Sequence, residues 1–339
     1  MLLLMLTMPA AAELAVHFID VGQGDSILIR EGNTAILIDG GDTGAGQRVV
    51  QYLRNQGIQR LDAVISTHPH ADHIGGLIAV LDAFPVSAIY DSGKPHTTQT
   101  YYRYLTQIDN KNIPFYTPRR GDNIRKGNIS LEVLNPGSAI DTLCLNNASL
   151  VLRLPYGNTA FLFTGDAESA AEAAMIRSGA ALRADVLKVG HHGSRTSSTR
   201  AFVTAVQPSI AVIQCGLNNR YNHPHMETLD TLRASSARIY RTDHNGTVVI
   251  KSDGSSLNVS VQRVYEPAAR ALVNINTASQ AELQTLPGIG PALAERIIAY
   301  RQQHGPFRNT AHIQRVHGIG RGRYGQIRDY ITIITIGGK

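Results

Sequence analysis

The chain has 339 residues, 43% apolar and 17% charged, an ordinary globular composition with room for two domains of unequal size. Its net charge of +6 is unevenly placed: residues 272–339 carry eight Lys or Arg against three Asp or Glu, the rest 24 against 23. Two cysteines, Cys144 and Cys215, neither in a CxxC, exclude a disulfide framework and leave at most a single bridge.

The N-terminus reads MLLLMLTMPAAAELAV. A short apolar run before Ala10-Ala11-Ala12 predicts a signal peptide over residues 1–12 and an exported protein, periplasmic or secreted. Elsewhere no uninterrupted apolar run of ~18 residues occurs, so no membrane-spanning helix is expected. β-branched runs then predict strands over 16–21, 26–30, 34–39 and 63–68, with helical patterns over 47–56 and 74–84. Strands resume over 129–134, 149–154 and 159–164, followed by an Ala-rich helix over 168–178. A second series has strands over 185–189 and 210–214 with helices over 199–206 and 227–234. Asn245-Gly246 and Asp253-Gly254 read as type I′ hairpin turns. Two series of strands with helices outside predict an α/β fold of four layers: helix, sheet, sheet, helix. This layered domain spans 14–264 and a short linker, 265–271, follows it.

Chemistry concentrates where predicted strands end. His68-Pro-His70-Ala-Asp72-His73 puts three imidazoles and a carboxylate in one turn, and Thr164-Gly-Asp166 puts a carboxylate after another strand. His191-His192 and His223-Pro-His225 follow the next two, so seven of the thirteen histidines fall in three clusters. Imidazole with carboxylate suits Zn²⁺, and also Mn²⁺ or Fe²⁺. The remaining histidines (His17, His96, His244, His304, His312 and His317) read as surface or structural.

Beyond the linker the pattern is helical. Ser279 and Glu282 stand at capping-box spacing. Leu286-Pro-Gly-Ile-Gly290 recurs as Val316-His-Gly-Ile-Gly320, each before a potential helix. Glycines there let a phosphate approach the backbone, and helix-start N–H groups face it. This predicts a small all-α helix-hairpin-helix domain over 272–336 that grips the DNA backbone independently of sequence. Gly288, Gly290, Gly318 and Gly320, with Arg296, Arg301, Arg321 and Arg323, are the candidate DNA contacts.

The HxHxDH run, the Thr-Gly-Asp and the His-His-Gly-Ser resemble the metallo-β-lactamase superfamily. Asp20-Val-Gly-Gln-Gly-Asp25, Ile38-Asp39, Asn146-Asn147-Ala-Ser149, Lys188-Val-Gly-His-His-Gly-Ser194 and Tyr221-Asn-His-Pro224 resemble, in order, the hydrolase domain of the ComEC family of DNA-internalisation proteins. The tail resembles the DNA-binding domain of the ComEA family. The resemblance implies a four-layer metallo-β-lactamase sandwich and two divalent ions, Zn²⁺ before Mn²⁺, that activate water for phosphodiester hydrolysis. It implies that His68 and His70 hold one ion, Asp72 and His73 the other, with Asp166 between them. One of His191 and His192 completes the second, His192 being favoured. Asp39 and Asn147 orient ligands from behind. Asp72 orients or deprotonates the water, and His191 or His223 protonates the leaving oxygen. Gly193, Ser194 and Arg195 hold a phosphate oxygen. The function so implied is a DNA-cleaving phosphodiesterase related to competence or DNA uptake. The alternative is an exported small-molecule or cell-wall phosphodiesterase, phosphorylcholine esterase-like, localised by its tail.

Overall fold

A computed structural model describes residues 13–264 and 272–333. The expected leader over 1–12 and linker over 265–271 lie outside the described residues. The chain divides into two compact units, 1–264 and 265–339.

The first unit begins with strands β1 (Leu14–Phe18), β2 (Ile27–Glu31), β3 (Thr34–Ile38), β4 (Ala63–Ser66), β5 (Ile89–Asp91) and β6 (Phe115–Tyr116). A second group follows: β7 (Asn123–Lys126), β8 (Ile129–Asn135), β9 (Val151–Tyr156), β10 (Thr159–Phe163), β11 (Val186–Lys188), β12 (Ile210–Ile213) and β13 (Arg238–Arg241). The chain then returns to the first sheet as β14 (Val248–Ser252) and β15 (Leu257–Val261). Among the described residues the sheet orders are β15-β14-β1-β2-β3-β4-β5-β6 and β13-β12-β11-β10-β9-β8-β7.

Alternation along the strands sorts side chains into three apolar layers. Val16, Phe18, Ile27, Ile29, Ile36 and Ile38 of the first sheet meet Leu152, Leu154, Phe161, Phe163 and Val212 of the second. The opposite face of the first sheet, with Leu28, Leu37 and Val64, packs on α1 (Gly46–Asn55), α3 (Leu77–Ala83) and α4 (Gln99–Asn110), reached through the short α2 (Ala71–Ile74). The opposite face of the second sheet, with Leu162, Leu187 and Ala211, packs on α5 (Ser169–Arg177), α6 (Arg200–Val206) and α7 (Met226–Ala234). The four-layer expectation holds. β3 to β6 run parallel, as do β10 to β13, so both sheets deliver their carboxyl ends to one rim.

The two turn expectations need correction. Asn245-Gly246 closes the short helix α8 (Thr242–Asn245) rather than a hairpin: Gly246 takes φ 65° as its cap, and the Asn245 side chain accepts from the Arg241 N–H at 2.9 Å. Asp253-Gly254 does lie in a hairpin, but Ser252 pairs with Leu257, which leaves residues 253–256 in the loop. Asp253 accepts from the N–H groups of Ser255 and Ser256, which stabilises this longer turn.

The second unit has its own core, built from Ile275, Leu283, Leu286, Ile289, Ile297, Phe307, Ile313, Val316, Ile319 and Ile327 among others. Ser279 and Glu282 form a complete capping box at the start of α9 (Gln280–Leu283). Helices α10 (Pro291–His304) and α11 (Arg321–Ile327) begin directly after Gly290 and Gly320, and a short 3-10 segment, Thr310–Arg315, precedes the second turn. A two-residue parallel ladder, Val273–Asn274 with Ile331–Thr332, ties the ends of this otherwise helical unit together.

Candidate metal centre

Each histidine or aspartate of the centre leaves a parallel strand at its carboxyl end. Asp39 follows β3, His68 and His70 follow β4, and Asp72 and His73 lie in α2. Asp166 follows β10, His191 and His192 follow β11, and His223 follows β12. The turns are tight. Asp39, His191 and His192 take left-handed backbone angles, with φ of 56°, 48° and 53°, a conformation that ordinary side chains adopt only where the surroundings hold them. Among the described residues four groups of donor atoms each lie within 4.8 Å, and two of them hold the clustered histidines: His68, His70 and Asp166 in one, and Asp72, His73 and His192 in the other.

Asp166 stands between the groups. Its Oδ2 is 3.7 Å from His68 Nε2 and 3.6 Å from His192 Nε2, and its Oδ1 is 3.3 Å from His73 Nε2. His68 Nε2 faces His70 Nδ1 at 2.9 Å, and His192 Nε2 faces Asp72 Oδ2 at 3.3 Å. Behind them, the Asp39 carboxylate accepts from the Thr67 N–H (2.8 Å) and hydroxyl (2.7 Å) and lies 2.8 Å from His73 Nδ1. His192 Nδ1 is 3.0 Å from the Gln214 carbonyl and 3.3 Å from Asp25 Oδ1. Both rings therefore have Nδ1 engaged and Nε2 aimed inward. Those two Nε2 atoms and Asp166 Oδ1 are buried without a hydrogen-bond partner among the described residues. Orphaned buried donors and acceptors are costly, and together they suit a divalent cation.

The electrostatics agree. Burial alone would lower His192, but Asp166 and Asp25 outweigh it and push the imidazole up to about 10. His73 is likewise raised well above its usual range, against burial, by Asp166 and Asp39. The pocket thus stabilises positive charge at both rings. Burial would raise Asp72, yet the His192 ring, 3.3 Å from its Oδ2, and the His73 charge hold it well below the carboxylate range. It is an ionised acceptor, poorly suited to take up a proton.

Residues 19–216, more than half of the chain, match the metallo-beta-lactamase superfamily. The chain belongs to that superfamily. Residues 269–332 match the helix-hairpin-helix motif. ComE operon protein 3 of Bacillus subtilis is 34% identical over 274 residues, covering 76% of this chain and 35% of the relative. Competence protein ComA of Neisseria gonorrhoeae is 32% identical over 263 residues, covering 75% and 34%. The chain therefore spans about a third of the length of these relatives. ComE operon protein 1 of Bacillus subtilis is 49% identical over 63 residues, 19% of this chain and 31% of the relative. Among solved structures, the metallo-beta-lactamase fold protein YhfI of Bacillus subtilis has a TM-score of 0.48 at 12% identity, covering 70% of this chain and 100% of that one. The superfamily implies divalent metal ions, and the donor set at this rim fits them.

Other residues singled out from the superfamily motifs take different places. His191 stands at the edge, its Nε2 3.7 Å from Asp166 Oδ2 and its Nδ1 3.2 Å from Glu168 Oε1. The His223 ring lies 5.5 Å from that of His191 and 6.2 Å from that of His192. Burial and the neighbouring His192, His225 and His191 push it down to about 3, so it is neutral at pH 7. Asn147 stays out of the donor groups. Its amide oxygen accepts from the N–H of Glu168 and Ala171 and anchors the segment that follows Asp166. The Ser194 hydroxyl is buried against Thr196 (3.0 Å), and Arg195 reaches Glu227. His225 Nδ1 accepts from the Arg195 N–H and so holds the loop rather than the centre. Cys144 and Cys215 are both free thiols.

Lys188, Asp25 and Glu168 carry roles at this rim that their positions in the sequence did not reveal. Lys188 is fully buried, pairs with Asp25, and donates to the Gly165 carbonyl at 3.0 Å. Both residues sit inside recognised motifs, but only the fold brings them together. Glu168 backs His191, as noted. His96, read as surface or structural, has its ring 5.8 Å from that of His70.

In the tail, Gly288 and Gly318 take φ of 70° and 95°. The two turns lean on one another's helices: a Cβ at Gly318 would meet Leu293, and one at Gly288 would approach Gln326 and Arg323. Arg296 reaches the His317 carbonyl at 3.3 Å, and Arg323 donates to that of Gly318. Arg301 donates to the carbonyls of Ile275 (2.9 Å) and Ala278 (2.7 Å), so it braces the unit. Among the described residues no helix is long and apolar enough to cross a membrane.

Proposed function

We propose that this protein hydrolyses phosphodiester bonds of DNA at a centre of two divalent cations, Zn²⁺ in preference to Mn²⁺, while its helix-hairpin-helix unit holds the DNA backbone. The observation that carries the reading is the pair of buried, unpartnered Nε2 atoms of His73 and His192 beside Asp166, each with its Nδ1 already engaged. That is how imidazole ligands are held ready for a metal. In this reading His68 and His70 would hold one cation and Asp72, His73 and His192 the other, with Asp166 available to either. His192 is preferred to His191 because its Nε2 lies 3.3 Å from Asp72.

When bound, the cations supply an activated water and neutralise charge on the phosphoryl oxygens. The chain does the rest. Asp72, ionised and an acceptor only, orients the attacking water through a hydrogen bond. Asp39 and Asp25 hold the two imidazoles in the tautomer that directs Nε2 inward. His191 is the proton donor: its Nε2–H passes to the leaving oxygen while Glu168 stabilises the ring through Nδ1. His223, neutral at pH 7, serves as a hydrogen-bond partner rather than an acid.

In the tail, Gly288, Gly290, Gly318 and Gly320 let phosphates approach the backbone at the starts of α10 and α11, with Arg296, Arg321 and Arg323 alongside. The competence relatives support a role in DNA uptake, and residues 1–12 support export. The test is incubation of the purified chain with plasmid and Zn²⁺ or Mn²⁺. Nicking or degradation is expected, with Asp72→Ala slower by more than about 100-fold. Failure to cleave any phosphodiester with either metal would overturn the reading.

A further inference from the structure

Between β12 and His223 the chain makes a short loop beside the centre. Asn219 fastens it: its amide nitrogen donates to the carbonyls of Gly216 (2.8 Å) and His223 (2.6 Å), and its amide oxygen accepts from the N–H of Tyr221 (3.2 Å) and His223 (3.0 Å). The loop is therefore preformed, yet it holds Leu217 and Tyr221 out into solvent, 67% and 44% exposed. These exposed side chains stand on a loop that ends at His223, within ring-contact distance of His191 and His192. The Tyr221 ring is stacked on His223 at 5.6 Å, so it stands one ring away from the imidazoles of the centre. The Arg220 guanidinium lies 4.8 Å from the Tyr221 ring centre and donates to its hydroxyl at 2.6 Å.

We propose that Tyr221, Leu217 and Arg220 form a nucleobase platform, on which one unstacked base of a single DNA strand rests while Arg220 holds an adjoining phosphate. The proposal rests on the phosphodiesterase reading and names its substrate: single-stranded or locally opened DNA. Every base offers a π-face to an aromatic ring, whatever the sequence. Inside a duplex that face is covered by neighbouring bases, so the platform engages only a base that has left the stack. Charge disfavours the ammonium end of the competing ligand, a quaternary ammonium such as phosphorylcholine carries. Arg220 already sets a cation against the Tyr221 ring, and a second cation would be repelled. A nucleotide brings a neutral base together with an anion that Arg220 can bind.

The test uses the full chain in EDTA, with a tetranucleotide carrying 2-aminopurine and its abasic counterpart. Raised salt weakens contacts to the backbone, including any made by the tail. Fluorescence quenching is expected, with roughly tenfold tighter binding of the base-bearing strand. Tyr221→Ala loses both effects, and Tyr221→Trp keeps them. Tyr116→Ala, at an exposed tyrosine on strand β6, changes neither. Equal affinity for the two strands, a preference that survives Tyr221→Ala, or tighter binding of phosphorylcholine than of the tetranucleotide overturns the proposal. Cleavage is measured separately with Zn²⁺. Hydrolysis without base preference removes the platform alone, whereas base-dependent binding without any hydrolysis removes the phosphodiesterase reading and leaves the platform.

Discussion

Lys188 and Asp25 place opposite charges in a part of the interior that excludes water, with the ammonium also bound to the carbonyl of the residue before Asp166. Removing one partner of such a pair leaves the other buried and uncompensated, at a cost of about 3–5 kcal/mol. Lys188→Met and Asp25→Asn are each expected to destabilise by that order. The double variant should lose clearly less than the sum, as read from denaturant unfolding in a double-mutant cycle. Strict additivity would show that the two do not act as a unit. Asp91 gives a pH prediction away from the donor groups. Burial pushes its carboxyl up to about 6, although Gly93 and Ser66 donate to it. The unfolded carboxyl titrates near ~3.9. Between these values the native state keeps a proton that the unfolded state has lost, so stability falls as pH rises from about 4 to about 6, by up to about 3 kcal/mol. Asp91→Asn should remove that part of the slope in urea melts of metal-free protein, and an unchanged slope would refute the assignment. The residue types that the fold brings together at the rim were legible in the sequence because imidazoles and carboxylates cluster within short motifs. Lys188, Asp25 and Glu168 were not, because each is recognised by its partner, and these partners lie far off along the chain.

Among the elements, the β1–β2 loop and α2 fit together only because residue 24 is glycine. Gly24 takes φ 132°, and a Cβ there would overlap the carbonyl of Asp72. Gly24→Ala is expected to cost about 2 kcal/mol or more and to shift Asp72. Zinc affinity, read by competition with a chromophoric chelator, should fall about 10–100-fold while far-UV circular dichroism stays native. Unaltered affinity would mean that Asp72 does not depend on this contact. Strands that form short apolar, β-branched runs, such as β1 to β4 and β10 to β12, were legible. Helix α4 was not, because its buried face is Tyr101, Tyr104 and Ile108, and tyrosine blurs the apolar period. Strand β13, reading Arg-Ile-Tyr-Arg, escaped notice as a polar edge strand that only its parallel partner β12 defines.

At the scale of the whole molecule, two units with separate cores divide the work proposed for them. If the tail grips phosphates, duplex affinity falls steeply with salt, and each lost contact lowers the slope by about 0.9. Arg321→Gln, in the first turn of α11, should reduce the slope by about that amount across unrelated sequences. Arg301→Gln should instead lower the melting temperature of the tail, because its guanidinium bonds to internal carbonyls. A reversed pattern would mean that the two arginines have exchanged roles. The sequence by itself determined the layered class, the helix-hairpin-helix repeat and the identities of the donor residues, because periodicity, turn chemistry and short motifs are local properties of a chain. Only the tertiary structure decided that His192 faces Asp72 while His191 faces Glu168, that Asn147 and Ser194 brace loops, and that Arg301 points inward. Those distinctions depend on backbone angles and on neighbours brought in from other strands, and a one-dimensional pattern does not encode direction.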